Sequence, residues 1–210
     1  MNNTQTAVAR LLLQINTIKV QPSNPFTWAS GWKSPIYCDN RKILSFPDAR
    51  TEIRDQFCSI IAAKYPDAEV IAGVATGAIA HGVLVAEKLG LPFVYVRSAP
   101  KGHGLENLIE GDLKPGQKVV VIEDLVSTGS SSLKAAEALS SYGANVLGMV
   151  AIFSYGFPQA TENFAAAGLE LTSLSQYDVL IEYATGNGDI KPEDRELLMQ
   201  WRLDPANWGK

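Results

Sequence analysis

Cysteine and histidine are scarce in this chain, two of each among 210 residues, and lysine plus arginine (18) are outnumbered by aspartate plus glutamate (22). Each shortage removes a class of protein. Cys38 and Cys58 stand alone, without a Cys-x-x-Cys or Cys/His spacing, which sets aside a disulfide framework and a zinc site and leaves both as small buried hydrophobes. The formal net charge of −4 argues against a general nucleic-acid or membrane-surface binder, which would carry a basic face. No apolar run approaches the ~20 residues that cross a bilayer, and Met1 to Thr6 lack the apolar core of a signal peptide. A cytoplasmic protein with neither nucleic acid nor membrane as partner is expected. Internal repeats and low-complexity segments are absent.

What is present is enough apolar material for a core. The chain is 46% hydrophobic and 19% charged, which fits one domain spanning residues 1–210. Its centre is Val119-Val120-Val121-Ile122, a short β-branched run of the kind buried on both faces of a parallel sheet. Glu123 and Asp124 close the strand. A turn rich in hydroxyls and glycine follows, Ser127-Thr128-Gly129-Ser130-Ser131, and then a helix-prone run through Leu139.

Main-chain N–H groups of Ser127 to Ser131, at a helix N-terminus, favour a phosphate dianion, and the Ser127, Thr128 and Ser130 hydroxyls add donors. Carboxylates suit a neutral diol instead, because they only accept hydrogen bonds and vicinal hydroxyls donate two. A phosphate at one end and a diol a few ångströms away describe a ribose 5-phosphate. An ordinary capped strand–helix turn explains neither the acid pair nor the run of hydroxyl and glycine positions.

The flanking elements read as alternating helices and strands. Amphipathic spacing predicts helices over Thr4–Ile18, Pro47–Lys64 with Ser45 near its cap, Ile79–Leu89 closed by Gly90, Phe157–Gly168, Gln176–Ala184 capped by Ser175, and Glu193–Trp201. Strands are expected at Glu69–Ala72, Phe93–Val96, Val146–Phe153 and Leu169–Thr172. The fold class is therefore α/β, a mostly parallel central sheet flanked by helices, with ligands at the carboxyl ends of its strands. The Gly73–Ala78 turn has so few side chains that an anion can approach its main-chain N–H groups. The loop from Ser98 to Leu113 is longer than an ordinary connection and carries Lys101 and His103 just after Arg97. His81, on an apolar helix face, reads as structural.

The segment 119–131, Val-Val-Val-Ile-Glu-Asp-Leu-Val-Ser-Thr-Gly-Ser-Ser, resembles the phosphoribosyl-pyrophosphate (PRPP) binding motif of the type I phosphoribosyltransferases. The resemblance implies that Glu123 and Asp124 hold the ribose hydroxyls and that Leu125, Val126, Ser127, Thr128, Gly129, Ser130 and Ser131 cradle the 5-phosphate. By the same likeness Ala75 and Thr76 lie against pyrophosphate, and Arg97, Lys101 and His103 match the family's catalytic loop. Lys101, His103 and Asp124 are the implied catalytic residues.

A second stretch, Phe26-Thr-Trp-Ala-Ser-Gly-Trp-Lys-Ser-Pro-Ile-Tyr-Cys-Asp-Asn-Arg41, is similar to the N-terminal hood of the orotate phosphoribosyltransferases. It implies a small hood subdomain, residues 1–45, over the base, with Ser127, Lys33, Tyr37 and Arg41 against orotate, while Trp28 and Trp32 are expected to pack. Some members carry a lysine where this chain has Ala29, which leaves Lys33 or Arg41 for the charge. Some place an arginine for the orotate carboxylate where Ser154-Tyr155-Gly156-Phe157 stands.

The implied activity is Mg²⁺-dependent transfer of the phosphoribosyl group from PRPP to orotate, forming orotidine 5'-phosphate and pyrophosphate. The metal is expected on substrate and water, with no direct protein ligand. A homodimer sharing its active site across the interface is implied. Two alternatives stay open: transfer to another base, and a non-catalytic PRPP-sensing regulator.

Overall fold

The computed structural model describes residues 3–28, 30–99 and 108–208. Its core is a six-stranded sheet built from β5 (Val70–Val74), β6 (Phe93–Val96), β7 (Ile109–Glu110), β8 (Lys118–Val126), β9 (Asn145–Ser154) and β10 (Leu171–Gln176), in the order β10-β9-β8-β5-β6-β7. All pairings are parallel except the edge pair β6 with β7. The mostly parallel α/β sheet expected from the alternating pattern is the sheet found.

Residues of β5 are buried at every position, and Val119 to Ile122 of β8 have no exposed surface. That is the signature of strands covered on both faces. The helices α1 (Asn3–Gln14), α2 (Pro47–Lys64) and α3 (Ile79–Leu89) pack together in one group, and α4 (Ser130–Ser141) with α5 (Pro158–Ala166) form another. Next to β10 and α1 sits α6 (Tyr177–Gly186), with α7 (Pro192–Leu203) against it. The N-terminal segment adds two small antiparallel pairs, β1 (Ile18–Val20) with β4 (Ile36–Cys38), and β2 (Phe26–Thr27) with β3 (Lys33–Ser34).

Several boundaries differ from expectation for identifiable reasons. The first helix stops at Gln14, because Asn16 takes a left-handed φ of 54° and Ile18 enters β1. Ser45 does not cap α2; it ends a 3₁₀ helix (Asn40–Ser45), and Phe46 takes the cap position with Pro47 at the first turn. Ser175 does not cap α6 either, since β10 runs through Gln176 and buries it. Gly90 does end α3 in the left-handed conformation, as a glycine there permits.

The largest correction concerns β8. It continues four residues past Ile122 to Val126, so the acid pair lies within the strand, hydrogen-bonded to the sheet. Within the strand Glu123 is buried and Asp124 half-exposed, yet the two carboxyl groups stay close enough to interact and border the same cavity.

Candidate active site

The strand order reverses between β5 and β8. In parallel α/β sheets the crevice at the carboxyl ends of such a pair is where ligands bind. Here the turns after β5 and β8 open onto a line of three cavities. One of about 610 Å³ is walled by Arg97, Ser98, Thr128, Ser130, Ser131 and Lys134 among others. The next, about 410 Å³, is walled by Ala75, Thr76, Gly77, Glu123, Asp124 and the Cys38–Asp39–Arg41 stretch. A third, about 270 Å³, is formed by Thr27, Trp28, Tyr37, Cys38, Leu125, Ser127 and Tyr155. Ala75 and Ser131 are common to the first two, Cys38 and Leu125 to the second and third.

The acid pair forms the floor of the middle cavity. One Glu123 carboxylate oxygen accepts a bond from the Ser132 hydroxyl at 2.7 Å, the other from the Asp124 main-chain N–H at 2.9 Å. Burial, and after it the neighbouring Asp124 carboxylate, push the Glu123 carboxyl well above the usual carboxylate range. Asp124 lies over Gly77, whose missing side chain leaves its space to the Asp124 carboxylate. Behind it, the Asn40 amide donates to the Asp124 carbonyl at 2.6 Å, joining the N-terminal segment to β8 across 84 positions of sequence.

The turn after β8, which the sequence marks out for an anion, leaves the start of α4 uncapped. Gly129 precedes α4 with φ 80°, and no side chain caps the helix, so the first N–H groups of α4 remain available to a ligand. The Thr128 and Ser130 hydroxyls lie 3.2 Å apart. Asn163 of α5 donates to the Thr128 carbonyl at 2.9 Å, and Phe164 fills the space beside Gly129. The cup is thus backed by packed protein and open on one side.

Opposite it, the Ala75–Thr76 peptide is cis, and the Ala75 N–H donates to Val96 at the end of β6. Arg97 sits on the first cavity with its guanidinium 3.4 Å from Glu110. Arg41 borders the middle cavity and is paired to Asp39 at 2.7 Å. The hydrogen bond from Arg41, more than its charge, holds the Asp39 carboxyl below its ordinary range.

The third cavity has aromatic walls. Trp28 packs on Tyr155 with ring centroids 5.1 Å apart and meets Trp201 edge-on at 5.7 Å. Tyr37 is partly exposed beside Phe26. Lys33 does not border the cavity itself; its ammonium donates to the Thr27 hydroxyl at 2.9 Å, and Thr27 does border it.

Of the residues singled out in the sequence, Ala75, Thr76, Glu123, Asp124, Leu125, Ser131 and Arg41 meet at the middle cavity, Arg97, Thr128 and Ser130 at the first, and Tyr37 and Ser127 at the third. Val126 points into the core, and its carbonyl accepts from Tyr155. Lys101 and His103 lie outside the described residues. His81 is buried on α3 with its Nε2 unpaired, and burial lowers its pKa.

In the third cavity four wall residues escaped sequence reasoning: Thr27, Trp28, Cys38 and Tyr155. Trp28 packs as expected and also faces the cavity. Cys58 is buried as expected, whereas Cys38 is half-buried on the cavity wall, its thiol donating to the Asn40 amide oxygen at 3.3 Å. Strands of two or three residues are too short for a period to separate wall from core.

Two opposed strand-end turns at the switch point, one an anion cup beside two acids, define a phosphoribosyl transferase domain, and the sequence model of that domain matches residues 47–164. A curated relative from Porphyromonas gingivalis, orotate phosphoribosyltransferase, is 59% identical over 202 residues, 96% of each chain. Among solved structures, orotate phosphoribosyltransferase from Aeropyrum pernix superposes with a TM-score of 0.74 at 29% identity, over 83% of this chain and 96% of that one. The Mycobacterium tuberculosis orotate phosphoribosyltransferase in complex with PRPP gives 0.66 at 26%, over 84% and 98%. The chain belongs to the phosphoribosyltransferase family, in its orotate phosphoribosyltransferase branch.

Proposed function

We propose that the chain transfers the 5-phosphoribosyl group of PRPP to N1 of orotate, with Mg²⁺ required, in pyrimidine biosynthesis. The observation that carries the reading is the single cleft in which an anion cup, an acid pair and an aromatic-walled cavity follow one another. In this reading the 5-phosphate lies on the Ser127–Ser131 turn, the ribose hydroxyls face Asp124 and Glu123, pyrophosphate lies against Ala75–Thr76 and Arg97, and orotate lies between Tyr37 and Ser127.

In the transfer the bond from C1 of the sugar to the pyrophosphate oxygen breaks, a bond from C1 to N1 of the base forms, and the N1 proton is released. Positive charge builds on the sugar and negative charge on pyrophosphate, so fixed anions under the sugar and cations at the leaving group lower the barrier. Asp124 serves the first need; Arg97, with Lys101 and His103 of the following loop, serves the second. Among the described residues no three His, Cys, Asp or Glu side chains gather to hold a metal ion. Mg²⁺ would be carried in by pyrophosphate, ribose hydroxyls and water, the arrangement this ion favours. When bound, Mg²⁺ would neutralise charge on the departing pyrophosphate.

Residues 1–45 act as a hood over the base. A homodimer and a cytoplasmic location belong to the same reading. No described helix is long and apolar enough to cross a membrane.

The test mixes protein, Mg-PRPP and orotate and follows the loss of orotate absorbance, with uracil, hypoxanthine and adenine in parallel. Turnover confined to orotate, and its loss in Lys101→Ala, is the expected outcome. Turnover of another base, or none with Lys101→Ala indistinguishable from the parent, rejects the reading.

A further inference from the structure

Seven aromatic side chains from four parts of the chain interlock behind the third cavity: Trp28, Trp32, Phe153, Tyr155, Phe157, Tyr177 and Trp201. Buried Trp and Tyr side chains almost always satisfy their polar end. The cluster obeys this nearly throughout. The Trp28 indole N–H donates to the Ile36 carbonyl at 3.2 Å, the Trp201 indole to the Lys33 carbonyl at 3.2 Å, and the Tyr177 hydroxyl to the Leu198 carbonyl at 2.9 Å.

Two polar ends are left over, the indole of the partly exposed Trp32 and the hydroxyl of Tyr155, and of the two Tyr155 is the buried one. It is 2% exposed and borders the third cavity, and among the described residues its hydroxyl makes no hydrogen bond. Burial, followed by the influence of Cys38, Tyr177 and Tyr37, pushes its phenol pKa up; Cys38 and Tyr37 are themselves cavity walls. The hydroxyl is therefore a neutral donor at the working pH. Its ring is fixed by stacking on Phe157 at 5.4 Å and by the Trp201 edge at 5.8 Å. The main-chain bond from Tyr155 N–H to Val126 locks it to the strand that carries the acid pair.

We propose that Tyr155 is a base-recognition residue, its hydroxyl donating a hydrogen bond to an oxygen of the pyrimidine held in the third cavity. A phenol stacked into a rigid cluster supplies one directional donor and rejects a base that offers no acceptor there, since the donor would then be left buried and unpaired. The carboxylate of the base needs a cation instead, and Lys33, whose ammonium is held by the wall residue Thr27, is a candidate. The proposal rests on the reading of that cavity as the base site.

Tyr155→Phe keeps the ring and removes one oxygen. Steady-state kinetics should show KM for orotate raised about 3- to 10-fold with KM for PRPP unchanged, and calorimetry should show orotidine 5'-phosphate binding weakened by a like factor. If Tyr155→Phe matches an active parent in both measurements, or if KM rises equally for both substrates, Tyr155 is a packing residue and the proposal falls. A parent that neither turns over orotate nor binds orotidine 5'-phosphate overturns the base-site reading itself.

Discussion

The Asp124 carboxylate occupies the space that a Cβ on Gly77 would need. One residue comes from the turn after β5 and the other from within β8, and the missing side chain of Gly77 sets the position of Asp124. Gly77→Ala forces the carboxylate out of that space, away from where the proposed function puts the sugar. A shift of about 1 Å at a catalytic group can cost ~100-fold in rate. The expected result is a kcat/KM for PRPP lower by about 10- to 100-fold, with melting temperature changed little. Parental kinetics from a folded Gly77→Ala protein would show that Asp124 does not depend on this vacancy.

Glu123 links the site to stability. Its carboxyl pKa is raised by burial, then by Asp124, so the folded protein binds the proton more tightly than the unfolded chain. Stability is then highest below the ordinary glutamate value of about 4.3, falls as pH rises toward the raised folded value, and stays lowered above it. Glu123→Gln removes that penalty while keeping an acceptor for Ser132. Thermal melts at pH 5 and pH 8 should show the variant gaining on the parent as pH rises, together with weaker use of PRPP. A gain that shrinks with rising pH would contradict the raised carboxyl.

Gly129 combines φ 80° with the Phe164 ring where a side chain would stand. Gly129→Ala meets both strain and contact, with an expected cost of about 1–3 kcal/mol read by denaturant titration. KM for PRPP should rise too, because the same turn presents the N–H groups of the cup. Loss of stability without any change in that KM would place the phosphate elsewhere.

Trp201 reaches from α7 to the N-terminal segment, donating to the Lys33 carbonyl and meeting Trp28 edge-on. Trp201→Ala should cost about 3–5 kcal/mol and, through Trp28, raise KM for orotate more than KM for PRPP. Equal rises in the two constants would mean that α7 supports the fold without shaping the base cavity.

How far the sequence reached is visible in particular residues. The bounds of α2, α3 and β6 were legible because apolar spacing, Pro47, Gly90 and Pro92 punctuate them. The Leu171–Gln176 strand was misplaced by two residues at its start, since Gly168 and Leu169 carry no signal stronger than the sheet pairing that Leu171 makes with Met149. Tyr155, Cys38 and Asn40 were unreadable as site residues. Their roles come from contacts across tens of positions, such as the Asn40 bond to Asp124, and no local pattern encodes those.

By itself the sequence determined that a β-branched strand would be buried at the centre, that an acid pair and a hydroxyl-rich turn would come next along the chain, and which family such a motif resembles. These are local properties of adjacent residues, and neighbouring residues cannot be parted by folding. Tertiary structure alone decided that Glu123 is buried against Ser132 while Asp124 lies over Gly77, and that Tyr155 reaches the cavity. Both outcomes follow from how far β8 extends and from what packs on each of its faces.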